Sequence, residues 1–146
     1  MERVLAYSLG GEVYRGKRER DGEWVYGDLI HTAVGKEPSI RIHWHNGAEC
    51  HGVIPDTVGQ YTKMNDKNGK MIYKGDIVIY DNTPYNAYGH RITGEIVWHK
   101  WAWRLKYKEY GMVHYYALGS EDFFGAKSEV VGNIYDDPDL LRYVKE

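Results

Sequence analysis

Three residues with metal-binding side chains lie close together in the sequence: His43, His45 and Cys50. Imidazole and thiolate groups suit zinc or copper, and two histidines two residues apart on a strand share one face. A hairpin turn at Asn46-Gly47 would pair His43 with Cys50 and bring the thiol to that face. An exposed polar hairpin face explains the same pattern, so we expect no cofactor. A metal-dependent enzyme at this site is a third hypothesis.

A second group of residues combines positive charges with an aromatic ring. If residues 98–108 form one strand, its basic face carries Trp98, Lys100, Arg104, Lys106 and Lys108. Such a surface can contact phosphates and stack on bases, although a solvated face over an aromatic core has the same composition. The chain has 19 Lys and Arg against 21 Asp and Glu. Because no net positive charge attracts polyanions, nucleic-acid binding would depend on this local patch and is the second hypothesis.

The segment between residues 82 and 90 predicts a loop that carries Tyr85, Asn86 and Tyr88. Tyrosine and asparagine among small residues are typical of recognition loops, so these three residues form a candidate interaction loop. Aromatic packing that closes the loop is the alternative interpretation.

The sequence has no recognisable catalytic or cofactor motif. It lacks the phosphate-loop pattern, the GxSxG and HExxH motifs, and any CxxC pair. Its single cysteine cannot form an internal disulfide, which favours a reducing compartment. No apolar run approaches the roughly 18 residues of a membrane span. We therefore expect a non-enzymatic, cytoplasmic protein without a membrane partner.

The composition of 14 Tyr, 5 Trp and 17 Gly favours strands joined by glycine turns. Asp21-Gly22 predicts a first hairpin, with a bulge at Gly16 or Gly27 as one alternative. In the second hairpin, at Asn46-Gly47, the core face is predicted to carry Ile40, Ile42, Trp44 and Val53.

The remainder of the chain predicts a loop with a turn over residues 54–76, then further strands, the last over residues 129–135. Asp137 and Pro138 predict the start of a short C-terminal helix. The expected fold is mainly β, a small barrel or sandwich built from meandering hairpins with that helix at its end. We expect an N-terminal hairpin unit (residues 1–62) and a C-terminal barrel-like unit (residues 63–146) within one compact domain.

Four segments, taken together and in order, resemble the YopX family of phage and prophage proteins. They are RGKRERDGEWVYGDLIH, VIPDTVGQYTKMNDKNGKMIYKGDIV, GEIVW and EVVGNIYDDPDLL, and the resemblance spans roughly residues 13 to 141. It implies a mostly β fold and a phage or prophage setting in a bacterial host cell. It implies no catalytic residues.

The leading hypothesis is a phage or prophage accessory protein that acts by binding. Hairpins leave edge strands, which are natural sites for pairing with another chain. We therefore expect a homo-oligomer, with a host or phage protein as a further partner.

Overall fold

The computed structural model describes residues 14–31, 38–44, 47–119 and 123–141. The chain divides into two compact units, Met1–Tyr61 and Thr62–Glu146. None of the helices in the described ranges has the length and apolar character needed to cross a membrane.

The described residues form eleven strands, one short α-helix and two 3₁₀ turns. The strands are β1 (Tyr14–Lys17), β2 (Trp24–Ile30), β3 (Ser39–Trp44), β4 (Gly47–Gly52), β5 (Gly59–Asn65), β6 (Met71–Tyr73), β7 (Asp76–Asp81), β8 (Arg91–His99), β9 (Ala102–Glu109), β10 (Met112–Ala117) and β11 (Ser128–Asn133). The helix α1 spans Phe123–Ala126, and the 3₁₀ turns span Pro55–Thr57 and Pro138–Leu141.

These strands belong to two antiparallel sheets, with the orders β4-β3-β2-β1-β5-β6 and β10-β9-β8-β7-β11. The predicted mainly β fold built from hairpins is confirmed, and neither sheet closes into a barrel among the described strands. The predicted C-terminal helix is a 3₁₀ turn, and residues beyond it lie outside the described ranges.

The first hairpin, β1–β2, forms where Asp21-Gly22 predicts it, but without a bulge. Its ladder runs in unbroken register from Tyr14 opposite Gly27 to Lys17 opposite Trp24. A Cβ atom at Gly27 would overlap the carbonyl oxygen of Arg41 on the neighbouring strand β3. The glycine therefore permits close approach between two strands instead of bending one of them.

The second hairpin, β3–β4, forms in a different register from the predicted one. Trp44 pairs with Gly47, so Gly47 belongs to β4 and the predicted Asn46-Gly47 turn is wrong. His43 consequently pairs with Ala48, and Cys50 pairs with Arg41. The predicted pairing of His43 with Cys50 is therefore wrong, because the register differs from the predicted one by two residues.

The first unit has a small apolar core beneath these hairpins. Val25, Ile40, Ile42 and Val53 are buried in it, and Tyr14, Leu29 and Val58 pack against them. The predicted core face is confirmed for Ile40, Ile42 and Val53. The side chain of Trp44 lies outside the described part of the chain.

The stretch predicted as a loop, residues 54–76, contains two strands instead. Strand β5 alternates buried and accessible positions, with Tyr61 in the interior, and β6 is buried at all three residues. Its glycines and polar residues belong to the tight turn between these strands and to the ends of the segment. Composition alone therefore concealed a hairpin with a period-2 pattern.

A buried carboxylate holds this turn against β11. One oxygen of Asp66 accepts hydrogen bonds from the backbone N–H groups of Asn68 and Lys70, both at 2.9 Å. The other oxygen accepts the N–H of Val130, also at 2.9 Å. Asp66 is buried, and the three donors satisfy its charge where water cannot reach it.

The second unit has the larger core, formed on one face of the five-stranded sheet. Its buried members are Ile72, Val78, Tyr80, Ile92, Ile96, Leu105, Leu118, Phe124 and Val130. The ring of Phe124 on α1 stacks on Tyr80, with centroids 5.1 Å apart. On the opposite face of strands β8 to β10 the described residues are half-buried or exposed.

Candidate binding site on strands β8 to β10

The segment predicted as one strand, residues 98–108, is the end of β8, a two-residue turn and most of β9. Trp98 pairs with Trp103 and His99 with Ala102, which places Lys100 and Trp101 in the turn. Their φ angles are +49° and +66°. Two consecutive left-handed residues are typical of a type I′ turn, normally signalled by Asn-Gly or Gly-Gly. Because neither residue is a turn former, the sequence did not reveal this reversal.

Strand β9 nevertheless has the two faces that its alternation predicts. Leu105 is fully buried, and Trp103 and Tyr107 pack against the same core. The cations alternate with them and point outward: Arg104 is half-buried, while Lys106 and Lys108 are exposed. The pairing of Arg104 with Ala117, Lys106 with Tyr115 and Lys108 with Val113 places these residues on one outer face.

Arg104 is partly occupied with the hairpin itself. Its Nε donates a hydrogen bond to the carbonyl oxygen of His99 at 2.9 Å. This contact fixes the guanidinium beside the turn and ties the ends of β8 and β9 together. The two lysines are therefore the more accessible cations of the outer face.

A flat pair of rings lies beside the cations. His99 stacks on Tyr115 with ring centroids 3.7 Å apart and planes 5° apart. Desolvation, and then the positive charges of Lys100, Arg104 and Lys106, lower the pKa of His99. The imidazole is therefore neutral near pH 7, and the ring pair adds no charge to the surface.

One acid shares the outer face with these cations. Glu95 lies opposite Lys106 in the β8–β9 ladder. Desolvation raises the pKa of its carboxyl group, against the opposing effect of Lys106 and Lys74. The acid offsets part of the positive charge at the centre of the face.

The prediction that Trp98 shares the basic face is wrong. Trp98 pairs with Trp103, which packs against the core, so it lies on the face opposite the cations, where it contacts Trp103 edge-on with ring centroids 5.1 Å apart. Trp101 is 90% exposed at the tip of the turn. It is a functional candidate that the sequence analysis missed.

Strand β10 forms an edge of the same sheet and also escaped the sequence analysis. It exposes Met112, Val113 and Tyr115, and no strand in the described ranges pairs with its outer side. The run MVHYYA contains no Asp, Glu, Lys or Arg. That uncharged run between two glycines was the sequence signal that could have indicated an edge strand suited to pairing.

The candidate interaction loop between β7 and β8 is closed by polar contacts, so the predicted closure by aromatic packing is wrong. Asn82 Oδ1 accepts the N–H of His90 at 2.9 Å, and Asn86 Oδ1 accepts the N–H of Tyr88 at 2.9 Å. Tyr85 and Tyr88 are 68% and 93% exposed. The ammonium group of Lys127 lies 5.0 Å from the ring centroid of Tyr85.

The candidate metal residues lie only partly in the described ranges. Cys50 is exposed on β4, only the backbone of position 43 is described, and His45 lies outside. Among the described residues, no three His, Cys, Asp or Glu side chains are grouped to hold a metal ion. His51 points to the other face, where its Nε2 lies 2.9 Å from Glu49. The metal site stays a prediction.

Comparisons with known proteins give one family and one similar fold. The sequence model of the family described as YopX protein matches residues 13–142. No curated protein matches the chain. Among solved structures, the crystal structure of protein EF1440 from Enterococcus faecalis is similar, with 19% identity and a TM-score of 0.49. That match covers 90% of this chain and 98% of the other.

Proposed function

The chain belongs to the YopX family, and we propose that it is a phage or prophage accessory protein that acts by binding, with a second copy of itself as its first partner. The proposed contact is an antiparallel pairing of β10 with β10 of the second copy. The observation that supports it is the outer edge of this strand, with which no other strand in the part of the chain that the structure describes is paired.

The other sheet edges carry features that discourage pairing with a second chain. Strand β6 is only three residues long and is buried. Strand β11 has a bulge between Val130 and Gly132, and β4 carries the exposed acid Glu49. Short length, bulges and charges are the usual means by which proteins protect sheet edges. Strand β10 is six residues long, uncharged and in regular register with β9.

The hairpin geometry determines which backbone groups of β10 are available. The turn at Tyr110-Gly111 has φ angles of +54° and +75°, so Glu109 and Met112 are the hydrogen-bonded pair that flanks it. Backbone hydrogen bonds alternate along an antiparallel pair. The N–H and C=O groups of Val113, Tyr115 and Ala117 therefore point away from β9.

A second copy of the chain fits this edge. Two identical antiparallel strands present the same three outward residues to each other, which satisfies a closed two-fold interface. Because the strand has no charged side chain, the two copies bring no like charges together along it. The exposed Met112, Val113 and Tyr115 would also lose apolar surface to the partner.

Sedimentation equilibrium of the full chain, from about 1 to about 100 µM, tests the proposal. We expect a reversible monomer–dimer equilibrium that persists at 0.5 M NaCl, because backbone hydrogen bonds and apolar contacts depend little on salt. A monomer throughout this range would contradict self-association.

A further inference from the structure

We propose that the outer face of β8 to β10, together with the turn at Lys100 and Trp101, binds single-stranded nucleic acid. The inference concerns the face of the sheet and is independent of the pairing proposed for its edge. Three observations carry it: a row of cations, an exposed ring at one end of that row, and the position of the acid on the same face.

The cations form a row along β9. Arg104, Lys106 and Lys108 occupy successive outward positions, and each step of two residues advances about 6.7 Å along a strand. Lys100, exposed in the adjoining turn, extends the row beyond its Arg104 end. A linear row of cations complements the backbone of an extended polyanion better than it complements a compact anion.

The negative charge of Glu95 does not neutralise the whole row of cations. Glu95 faces Lys106 and is half-buried, whereas the neighbours of Arg104 in the two ladders, Val97 and Ala117, carry no charge. The Arg104 end of the row, which adjoins Lys100, therefore keeps its positive character. Phosphate groups binding there would displace counterions from the lysines, which makes the affinity fall with salt.

The exposed ring distinguishes a single strand from other polyanions. Trp101 is 90% exposed beside Lys100, and both residues hold left-handed backbone conformations in their turn. An indole in this position offers its face to an unpaired base, and base stacking on an aromatic ring contributes about 1–3 kcal/mol. A duplex hides its base faces, and an acidic peptide has no base to stack.

Fluorescence anisotropy with labelled dT20 and rU20 at 25–300 mM NaCl tests the proposal. We expect saturable binding whose logarithmic affinity falls with salt by about 0.7 per phosphate contact. The variant Lys106→Gln/Lys108→Gln should lower that slope by about 1.4 and weaken binding about tenfold at low salt. Its control, Lys63→Gln/Lys70→Gln, removes the same charge from exposed positions elsewhere and should bind like the wild type.

A second pair of variants tests the ring. Trp101→Ala should weaken binding about tenfold or more, while Tyr88→Ala, which removes an equally exposed ring from the loop between β7 and β8, should not. Comparing the affinities of the wild type for dT20 and for rU20 shows whether this surface prefers DNA or RNA.

Several results would overturn the inference. These are no saturable binding at 25 mM NaCl, equal weakening in both lysine variants, an unchanged affinity for Trp101→Ala, and equal binding of a duplex or of polyglutamate. Sedimentation of Lys106→Gln/Lys108→Gln should give the same masses as the wild type. A failure of nucleic-acid binding is thereby distinguished from a failure of self-association.

Discussion

Arg18 binds Asp21 through two parallel hydrogen bonds, from Nε to Oδ1 at 2.9 Å and from Nη2 to Oδ2 at 2.8 Å. The pair closes the loop of the first hairpin, where Gly22 has a φ of +75°. The planar guanidinium matches the carboxylate at both atoms, which makes this contact more specific than a single-point ion pair.

This ion pair predicts an acid-dependent change in stability. The hydrogen bond from Arg18, followed by that from the N–H of Glu23, lowers the pKa of Asp21 from 3.8 to about 2. A carboxyl whose folded pKa is depressed stabilises the fold above its unfolded pKa and loses that contribution as the pH falls through the folded value. Asp21→Asn should therefore lower the urea midpoint at pH 7, and by much less at pH 2, where only part of the folded protein still holds this carboxylate ionised.

Urea titrations at pH 7, 4 and 2 check this expectation. Arg18→Gln should remove the same pH dependence, and the double variant should add little to either single one. A difference between Asp21→Asn and the wild type that is as large at pH 2 as at pH 7 would rule out the assigned cause.

The buried carboxylate of Asp66 predicts a large loss of stability on substitution. Asp66→Ala removes the acceptor of three backbone N–H groups, two in the adjacent turn and one at Val130. Unsatisfied buried donors cost about 1–3 kcal/mol each, so we expect a loss of about 3 kcal/mol in the free energy of unfolding. Asp56→Ala, at an exposed position, should cost under about 0.5 kcal/mol.

The close approach of β2 and β3 predicts that Gly27 does not tolerate a methyl group. In Gly27→Ala the new Cβ overlaps the carbonyl oxygen of Arg41, so the two strands must separate at a cost of about 2–3 kcal/mol. In Gly52→Ala the Cβ meets only the flexible side chain of Glu19, and stability should change little. Thermal unfolding of both variants measures the contrast, and equal losses would contradict it.

The free edge of β10 predicts that one charge prevents self-association. Tyr115→Glu places a carboxylate opposite Lys106, which the monomer tolerates, but at the centre of the proposed interface. Val131→Glu is the matched control, because Val131 on β11 is 37% exposed and Tyr115 is 38% exposed. Sedimentation should show a monomer for Tyr115→Glu and wild-type masses for Val131→Glu. A dimer in both variants would exclude this edge.

The strained turn between β8 and β9 predicts that a variant with a more favourable turn gains stability but loses affinity for nucleic acid. Replacing Lys100 and Trp101 by Asn and Gly introduces the residues that a type I′ turn prefers, so the variant should gain about 1 kcal/mol in stability. It should also lose affinity for dT20. Tyr110→Asn relieves the comparable turn between β9 and β10 and should gain stability without losing affinity. If the Asn-Gly variant is no more stable than the wild type, the turn at Lys100 and Trp101 is not strained.

The sequence predicted elements whose local pattern agrees with their environment. Ile40 and Val53 are in the core as expected, and Leu105 alternates with outward cations as its neighbours indicate. These positions obey the period of two that burial on one face imposes on a strand.

Features set by contacts between strands were not predictable from local signals. The β3–β4 register differs from the Asn46-Gly47 prediction by two positions, which changes partners but leaves the faces unaltered. The turn at Lys100 and Trp101 has no turn-forming residue, so its reversal depends on pairing in the assembled sheet. Which strand would lie at the edge is likewise a property of topology, and this is why the binding surface became visible only in the structure.

The loop between β7 and β8 has an evolutionary consequence. Its closure relies on the amide oxygens of Asn82 and Asn86 and on Gly89, where a Cβ would overlap Asn82. The exposed ring of Tyr88 takes no part in these contacts, and the ring of Tyr85 adds only its approach to the ammonium group of Lys127. Substitutions at these two positions should therefore leave the loop backbone closed, so a lineage can diversify this exposed surface at little cost to folding.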